Sequence, residues 1–460
     1  MDQQTTDKST FLLPRLSVMM FLQFAIWGAW LPILYPFLLG YRGFTLTETG
    51  LCLSAGAVGA IFGPFIAGQL ADRVMSTEKL LGISHLIGAV LVFMLGTSDG
   101  AVLGQALEYI PTTLLPSEIN EAFIEFAILS GVYGFVYAPT IALTNSLAFH
   151  HLPNRDRDFG KVRLWGTVGW IAAGIVVGQY LRIWSTPTGV PLEQIADAQN
   201  AGRAFAFTVS AVLGIIMGIY CFTLPHTPPA KSTTNKLAWF ETLREIRMQP
   251  LVTLFIISVP VSIIHQFYFV YTSDFVTGIQ NSAGSDAANS FANGINTVLG
   301  VGGGGLMTIG QMSEIVVLAC MPILAVKFSK KTLLCTGLVA YGLRMAIFAY
   351  FPSLIPVIIG VALHGLCFGC FIFVAFMVVD EYCSKDVRAT AQNFFNLVIV
   401  GVGIIVGSLF ATALVGEWAM VDGNMDFSAL FSVPMWLSVA CFLMLLVFYP
   451  SLKELPDRQE

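Results

Sequence analysis

Charged residues are scarce in this sequence. Only 11% of its 460 residues are Asp, Glu, Lys or Arg, whereas a soluble domain carries about 25%. The chain therefore lacks enough charge to cover a water-facing surface. Its mean hydropathy is +0.76, and 56% of its residues are hydrophobic. These values exclude a soluble enzyme or a soluble binding module and indicate a protein that lies in a lipid bilayer.

The sequence also lacks the features of several other classes of protein. The net charge of -5 is small and spread along the chain, so we expect no nucleic-acid partner. Most of the eight cysteines lie in apolar runs, which argues against a disulfide framework. The six histidines are scattered and form no metal cluster or nucleophile constellation. We therefore expect no metal, no cofactor and no enzymatic activity.

Two short motifs lack the context that their usual chemistry requires. Cys367 and Cys370 form a C-x-x-C, but no βαβ unit surrounds them, so we interpret them as small helix-packing residues. The run from Gly302 to Gly305 lacks the Gly-Lys-Ser/Thr of a phosphate loop and is interpreted as flexible backbone. The first apolar stretch is too long for a signal peptide, so we expect it to remain in the mature protein.

Twelve long apolar runs dominate the chain. A helix needs about 20 predominantly apolar residues to cross the hydrocarbon core. Backbone amides in lipid must be satisfied internally, so these runs are predicted to be helices and the fold class to be all-α. The predicted bounds are 15–39, 48–70, 79–97, 122–147, 161–183, 203–224, 250–276, 305–327, 332–351, 354–379, 389–415 and 428–450.

Lys and Arg residues are distributed unequally between the two sides of the predicted membrane. With both termini placed in the cytoplasm, 19 of the 23 Lys and Arg residues fall on the cytoplasmic side. Three fall on the outer side, and Arg344 lies within a span. This bias obeys the positive-inside rule for an even number of spans. We therefore expect a multi-pass membrane protein with both termini in the cytoplasm.

A short polar segment divides the spans into two groups of six. The predicted domains are an N-terminal six-helix bundle (1–225), a cytoplasmic linker (226–249) and a C-terminal six-helix bundle (250–460). This layout is that of the major facilitator superfamily. Residues 68–73 (GQLADR) resemble the superfamily's loop motif G-x-L-a-D-r. In that motif Asp72 and Arg73 would form a conformational latch at the cytoplasmic ends of the helices.

Polar side chains inside the predicted spans are the candidate functional residues. Such groups are costly in lipid, so by default they face a cavity and have a function. Several of them lie on the same predicted helix, either at helical spacing or at neighbouring positions in the sequence. The groups are Arg163, Thr167 and Trp170; His265, Gln266 and Phe269; Gln311 and Glu314; and His364 and Phe368. Together they would suit a ligand with a flat ring and several hydroxyls.

For other polar residues in the spans, a structural role accounts for the residue as well as a functional role does. Gln23 is as compatible with an interhelical hydrogen bond as with a ligand contact. His85 lies near a helix end and is interpreted as a packing or interfacial residue. Arg344 is a candidate to pair with a carboxylate and fix the ninth helix. Arg163 lies near the cytoplasmic boundary, where positive charge is common, and Glu125 near the outer end of its helix could face water.

Seven stretches of the sequence are similar to a known family, in the same order along the chain. They are FLQFAIWGAWL (21–31), YAPTIALTNSL (137–147), VRLWGTVGW (162–170), TLPHTP (223–228), QMSE (311–314), LRMAIFAY (343–350) and RATAQ (388–392). On these stretches the chain resembles the nucleoside:proton symporter family of the major facilitator superfamily, which includes bacterial nucleoside and xanthosine permeases. The resemblance implies a nucleoside site between the two halves and transport driven by the proton gradient.

The resemblance also implies which residues contact the substrate. The matching positions are Arg163, Thr167, Trp170, Gln266, Gln311, Glu314, His364 and Phe368, and Phe269 occupies a position where the family has an asparagine. Three further departures stand out. His364 replaces a tyrosine, Gly369 replaces an acidic residue, and Trp170 is larger than the usual phenylalanine. We expect these changes to weaken nucleoside binding or to shift the preference among bases, with Gly369 leaving empty space.

The implied mechanism is alternating access with proton coupling in the bacterial inner membrane. Burial disfavours the charged form of a carboxylic acid, so Glu314 is the first candidate for the proton carrier. His364 is the second, because an unperturbed histidine titrates near neutral pH. The expected partners are a nucleoside or related polar solute, protons and lipid. A sugar symporter is the nearest alternative, and a membrane-embedded sensor or enzyme a remote one.

Overall fold

The computed structural model describes residues 11–107, 120–229, 238–282, 287–301, 305–384 and 387–450. These residues include twelve helices that are long and apolar enough to cross a membrane, numbered α1 to α12 in chain order. Their bounds are Leu12–Tyr41, Leu46–Ala71, Thr77–Thr97, Glu121–His151, Arg157–Trp184, Glu193–Cys221, Leu251–Gln280, Thr308–Lys327, Lys330–Tyr350, Leu354–Tyr382, Thr390–Gly416 and Phe427–Phe448. The predicted all-α membrane fold with twelve spans is therefore confirmed.

Shorter elements join or extend the spans. Helical geometry extends α2 to Arg73, begins α5 at Arg155, and extends α7 to Ser282. The sixth span consists of a short helix followed by a longer one that ends at Cys221. The short helix of the sixth span is Leu192–Gly202, and other short helices are Ala101–Leu107, Ala238–Ile246 and Ala287–Leu299. Two short strands, β1 (Met420–Val421) and β2 (Asn424–Met425), pair antiparallel.

Polar caps define where several spans begin. Thr45 and Glu48 form a reciprocal capping box at the start of α2. The side chains of Asn120, Ser329 and Asp426 accept hydrogen bonds from the first turns of α4, α9 and α12. These caps satisfy amide groups that have no partner within the helix, so they mark ends that hydropathy alone locates only approximately.

Three of the described spans contain π-helical segments. In α1, Pro32 and Pro36 remove backbone donors, and the helix passes through a 3₁₀ turn at Leu31–Ile33 to a π-helical end at Phe37–Tyr41. In α10 a π-helical segment, Cys367–Phe373, follows His364 by three residues. In α11 two such segments occur, Leu397–Val402 and Phe410–Gly416. Segments of this kind are frequent at functional sites.

The described residues form two compact units. The first contains residues 11–229 and 299–301, and the second contains 238–298 and 305–450 within the described ranges. The predicted division into two bundles joined by a linker (226–249) stays a prediction, and residues 230–237 of that linker lie outside the described part. Within the second unit, the helix Ala238–Ile246 is held to the end of α10, because Ser384 donates from its backbone N–H and its hydroxyl to the Glu245 carboxylate.

Candidate functional site

A close contact between α8 and α10 organises the second unit. The N–H of Gly365 in α10 donates to Ser313 Oγ at 2.9 Å, and the same hydroxyl donates to Gly310 O at 2.7 Å. A Cβ atom at Gly365 would lie 2.4 Å from the backbone carbonyl carbon of Ser313 and 2.7 Å from Glu314 N. Only a glycine at this position permits the two backbones to come so close.

This contact brings the two proton-coupling candidates together. His364 precedes Gly365 in α10 and Glu314 follows Ser313 in α8, so the backbone contact places their side chains side by side. His364 Nε2 lies 3.5 Å from Glu314 Oε2. The His364 side chain is 3% exposed, and the Glu314 side chain is 14% exposed. The carboxylate therefore remains partly accessible, whereas the imidazole is buried.

Arg344 of α9 reaches the opposite nitrogen of the same imidazole. Its Nη1 lies 3.3 Å from His364 Nδ1, and the residue has no exposed surface. The guanidinium lies 4.2 Å above the ring centroid of Tyr268 and 5.1 Å from that of Tyr341. A cation over a desolvated aromatic face is attracted by the ring quadrupole. The predicted pairing of Arg344 with a carboxylate is therefore not direct: among the described residues, His364 lies between Arg344 and Glu314.

Aromatic residues of α7 and α9 surround this group. Tyr268 stacks on His364 with ring centroids 4.8 Å apart and planes 16° apart. His265 Nδ1 lies 2.7 Å from the hydroxyl of Tyr341, and its ring centroid is 5.5 Å from that of His364. Phe269 lies edge-on to His364 at 6.4 Å. The predicted residues Phe269, Glu314 and His364 are therefore brought together in the second unit.

The other predicted residues of this unit have different surroundings. Gln266 is 8% exposed and faces α11, where Ser408 Oγ donates to its Oε1 at 3.5 Å. A Cβ at Gly407 would come within 2.7 Å of Gln266 Cγ, so the amide packs tightly between helices. Gln311 and Phe368 are half-buried. Phe368 lies in the π-helical segment Cys367–Phe373, and its predicted pairing with His364 stays a prediction.

One prediction about α10 is wrong. Gly369 was expected to leave empty space where the family has an acidic residue, but it is buried against α8. A Cβ at this position would lie 2.6 Å from Val317 Cγ1 and 3.6 Å from Met321 Cε. The missing side chain is therefore replaced by closer packing of two helices, and an aspartate introduced at Gly369 would require Val317 to move.

In the first unit, the predicted residues lie along the contact between α5 and α1. The Arg163 guanidinium lies 3.9 Å from the ring centroid of Phe24 in α1. Arg163, Thr167 and Trp170 are all half-buried, so they share both a helix face and partial accessibility. The helices approach closely at Gly28, where a Cβ would lie 2.5 Å from the Trp170 Cα atom. This close contact fixes the backbone from which the three side chains project.

A second buried polar cluster lies in the first unit and was not predicted as a group. His85 Nε2 lies 3.0 Å from Gln23 Oε1, and Gln23 Nε2 donates to Thr140 Oγ1 at 2.7 Å. Tyr137 donates to the backbone carbonyl of Gln23. Gln23 and His85 are each 1% exposed. The contacts join α1, α3 and α4, so they correspond to the interhelical and packing interpretations of these residues.

The predicted latch lies at the end of α2. Helical geometry continues through residues 68–73 to Arg73, so the motif forms the last turns of a helix and not a separate loop. The side chain of Arg73 is exposed. The side chain of Asp72 lies outside the described part of the structure, so the latch stays a prediction.

Sequence reasoning did not place Tyr268, Tyr341 or Arg344 in the candidate site. The available signal was the occurrence of tyrosines and an arginine well inside apolar runs, away from the membrane interfaces where tyrosine is ordinarily enriched. Spacing within one helix could not show that α7, α9 and α10 bring these residues to a single imidazole. That convergence depends on how the helices pack.

Comparisons with known proteins agree on the family. A model of the family described as "Nucleoside H+ symporter" matches residues 11–453. The transporter YegT of Escherichia coli K12 is 29% identical over 85% of this chain and 82% of its own length. The nucleoside permease NupG of the same organism is 24% identical over 94% of each chain.

Solved structures agree on the fold. The crystal structure of the nucleoside transporter NupG gives a TM-score of 0.74 at 22% identity, covering 95% of this chain and 98% of that one. A D-xylose–proton symporter gives a TM-score of 0.66 at 15% identity and covers 95% of this chain. Both likenesses support the fold of the major facilitator superfamily, and the match of the family model extends over nearly the whole sequence. The chain belongs to the nucleoside H+ symporter family, whose members are transporters.

Proposed function

We propose that this protein takes up nucleosides together with protons across the bacterial inner membrane, by alternating access and with both termini in the cytoplasm. Membership of the nucleoside H+ symporter family supports the nucleoside and the proton. The excess of Lys and Arg in the loops assigned to the inside supports the orientation. The twelve apolar helices support a multi-pass position in the membrane.

The observation that most directly supports this proposal is the position of the Glu314 carboxylate. It lies inside an apolar helix, is 14% exposed and faces the buried imidazole of His364. An ionisable group inside a membrane is costly, and such groups ordinarily mark proton or substrate pathways. A carboxylate also accepts hydrogen bonds from the hydroxyls of a ribose. Glu314 therefore has the accessibility and the chemistry to bind a proton, and the same oxygens to contact substrate.

The predicted substrate-binding residues, Glu314 among them, are proposed to contact the nucleoside. In the first unit, Arg163, Thr167 and Trp170 offer a cation, a hydroxyl and an aromatic face on one side of α5. In the second unit, the proposed contacts are Gln266, Phe269, Gln311, Glu314, His364 and Phe368. Aromatic faces can stack on a base, and amides can both donate to its edge and accept from it.

The function is tested with purified protein in proteoliposomes. Uptake of labelled uridine is measured with and without an imposed inward proton gradient, and exchange is measured separately as counterflow without a gradient. We expect the wild-type protein to accumulate uridine only when the gradient is present. Glu314→Gln keeps the shape of the side chain but removes the titratable group, so accumulation should collapse while counterflow survives.

Gln311→Ala is the matched control on the same helix face. It removes an amide without changing any titratable group, so it should raise the concentration of uridine needed for half-maximal counterflow and leave the response to the gradient unchanged. Equal losses of accumulation and counterflow in Glu314→Gln would assign Glu314 to substrate binding and remove its coupling role. Absence of gradient-driven uptake in the wild type would contradict the proposed symport.

Competition separates a nucleoside transporter from the sugar-symporter alternative. Unlabelled nucleosides should reduce the uptake of labelled uridine, whereas free ribose, xylose and glucose at the same concentrations should not. The structural likeness to a D-xylose–proton symporter concerns the fold alone. Competition by free sugars as strong as that by nucleosides would favour the alternative.

A further inference from the structure

The charge of Arg344 requires a counter-charge that its nearest neighbours do not supply. A guanidinium stays protonated in proteins, and this one has no exposed surface. Its Nε and Nη2 atoms are buried without a hydrogen-bond partner among the described residues. Its other contacts are the faces of Tyr268 and Tyr341 and a nitrogen of His364. A buried charge without compensation is strongly unfavourable.

The arrangement around His364 determines where its proton lies. Arg344 can donate a hydrogen bond but cannot accept one, so His364 Nδ1 must be the acceptor. The proton of the neutral ring is then on Nε2, which faces Glu314 Oε2 at 3.5 Å. A second proton on Nδ1 would set an N–H against the N–H of Arg344 and a positive charge beside a positive charge. His364 therefore connects the two charged residues as a neutral ring.

The other groups that face this cluster carry no negative charge near neutral pH. From α7 these are Tyr268, stacked on His364, and His265, which contacts the hydroxyl of Tyr341. Tyr341 itself comes from α9, and α10 adds the Cys367 thiol, which interacts electrostatically with Arg344 and is uncharged as a thiol. Tyrosine titrates near pH 10, so both phenols are neutral in the working range. Glu314 from α8 is thus the carboxylate of the described cluster that can balance Arg344.

We propose that Arg344 is a positioning residue that keeps Glu314 ionised through His364, and that it thereby makes transport respond to the proton gradient. A proton from water adds to an oxygen of Glu314 and forms a carboxylic acid, so the net charge of the cluster changes from zero to +1. Proton binding then leaves Arg344 without compensation and destabilises this packing of α8, α9 and α10. The inference rests on the proposed proton-coupled uptake.

The test uses the full-length protein in proteoliposomes with labelled uridine. Arg344→Gln removes the charge that favours the ionised carboxylate, so Glu314 should remain protonated throughout the assay range. Accumulation driven by an imposed proton gradient should fall to the level without a gradient, while counterflow persists. Arg344→Lys keeps the positive charge and should retain a response to the gradient, with reduced rate because the planar donor geometry is lost.

Three outcomes would overturn the inference. The first is gradient-driven accumulation in Arg344→Gln equal to that of the wild type. The second is a parallel loss of accumulation and counterflow in Arg344→Gln, which would make Arg344 a structural residue only. The third is Arg344→Lys behaving like Arg344→Gln in its response to the gradient. Failure of the proposed function is seen separately, since the wild-type protein would then show no accumulation.

Thermal unfolding gives a readout that does not depend on transport. Glu314→Gln leaves a guanidinium that cannot lose its charge, so the purified variant in detergent should melt at a lower temperature than the wild type. Adding Arg344→Gln removes that uncompensated charge, so the double variant should regain part of the lost melting temperature. A double variant that melts no higher than Glu314→Gln alone would show that the two residues are not coupled, and would overturn the inference.

Discussion

The close contact between α8 and α10 leads us to predict that a larger residue at Gly365 destabilises the protein. A Cβ here would lie 2.4 Å from both the carbonyl carbon and the carbonyl oxygen of Ser313, and these are backbone atoms that cannot turn aside. Overpacking of this kind costs about 1–3 kcal/mol. The gain in helix propensity on replacing glycine by alanine is about 0.5–1 kcal/mol. At the middle of these two ranges, Gly365→Ala should be destabilising by about 1 kcal/mol.

Gly278→Ala is the matched control. It makes the same change in a helix of the same unit, but a Cβ at Gly278 meets no heavy atom within 4 Å. Only the propensity term applies, so this variant should be neutral or more stable by about 0.5–1 kcal/mol. Unfolding of both variants is followed by tryptophan fluorescence in the same detergent, with counterflow of uridine measured in parallel.

The functional result should follow the structural one. Moving α10 away from α8 separates His364 from Glu314, since both residues adjoin the contact that Gly365 makes. Gly365→Ala should therefore reduce gradient-driven uptake more than counterflow. The reasoning is refuted if Gly365→Ala and Gly278→Ala have the same stability and the same transport, because the close approach of the helices would then have no energetic consequence.

Two further predictions concern topology and reactivity. A cysteine introduced at Ser232 should react with an impermeant maleimide only from the cytoplasmic side, and one at Ser282 only from outside; the reverse pattern would contradict the proposed orientation. Burial raises the pKa of the Cys383 thiol to about 12, so this group stays a thiol at about pH 7–9 and should react slowly with maleimide until the protein is unfolded. Rapid modification of the folded protein, detected by mass spectrometry, would contradict that environment.

The twelve helices could be predicted from sequence because the bilayer imposes a minimum length and a composition on each span. Their irregular parts could not, because a π-helical segment such as Cys367–Phe373 leaves no mark in hydropathy. The same limit applied to the motif at residues 68–73, where helical geometry continues through a stretch interpreted as a loop. In each case local hydrogen bonding, and not the apolar content, determines the backbone.

The candidate site was predictable within single helices but not between them. Spacing placed Gln311 with Glu314 correctly on one helix, since an α-helix has a fixed rise and rotation per residue. It could not reveal that Gly365 brings α10 against α8, or that Gly369 packs on Val317 where empty space was expected. A glycine in a membrane helix is compatible with a cavity, a bend or a close contact, and the neighbouring helix decides among them.

The pairing of charges in the second unit shows why a list of candidate titratable residues does not by itself identify a proton carrier. From residue type and position in an apolar run alone, Glu314 and His364 are both reasonable proton carriers. On the same basis, Arg344 is interpreted as a structural residue. Once the three are placed in order, the fixed charge of Arg344 makes His364 an acceptor on one nitrogen and a donor on the other. In the arrangement that we propose, the histidine has no free site for a second proton, and Glu314 is the group whose protonation changes.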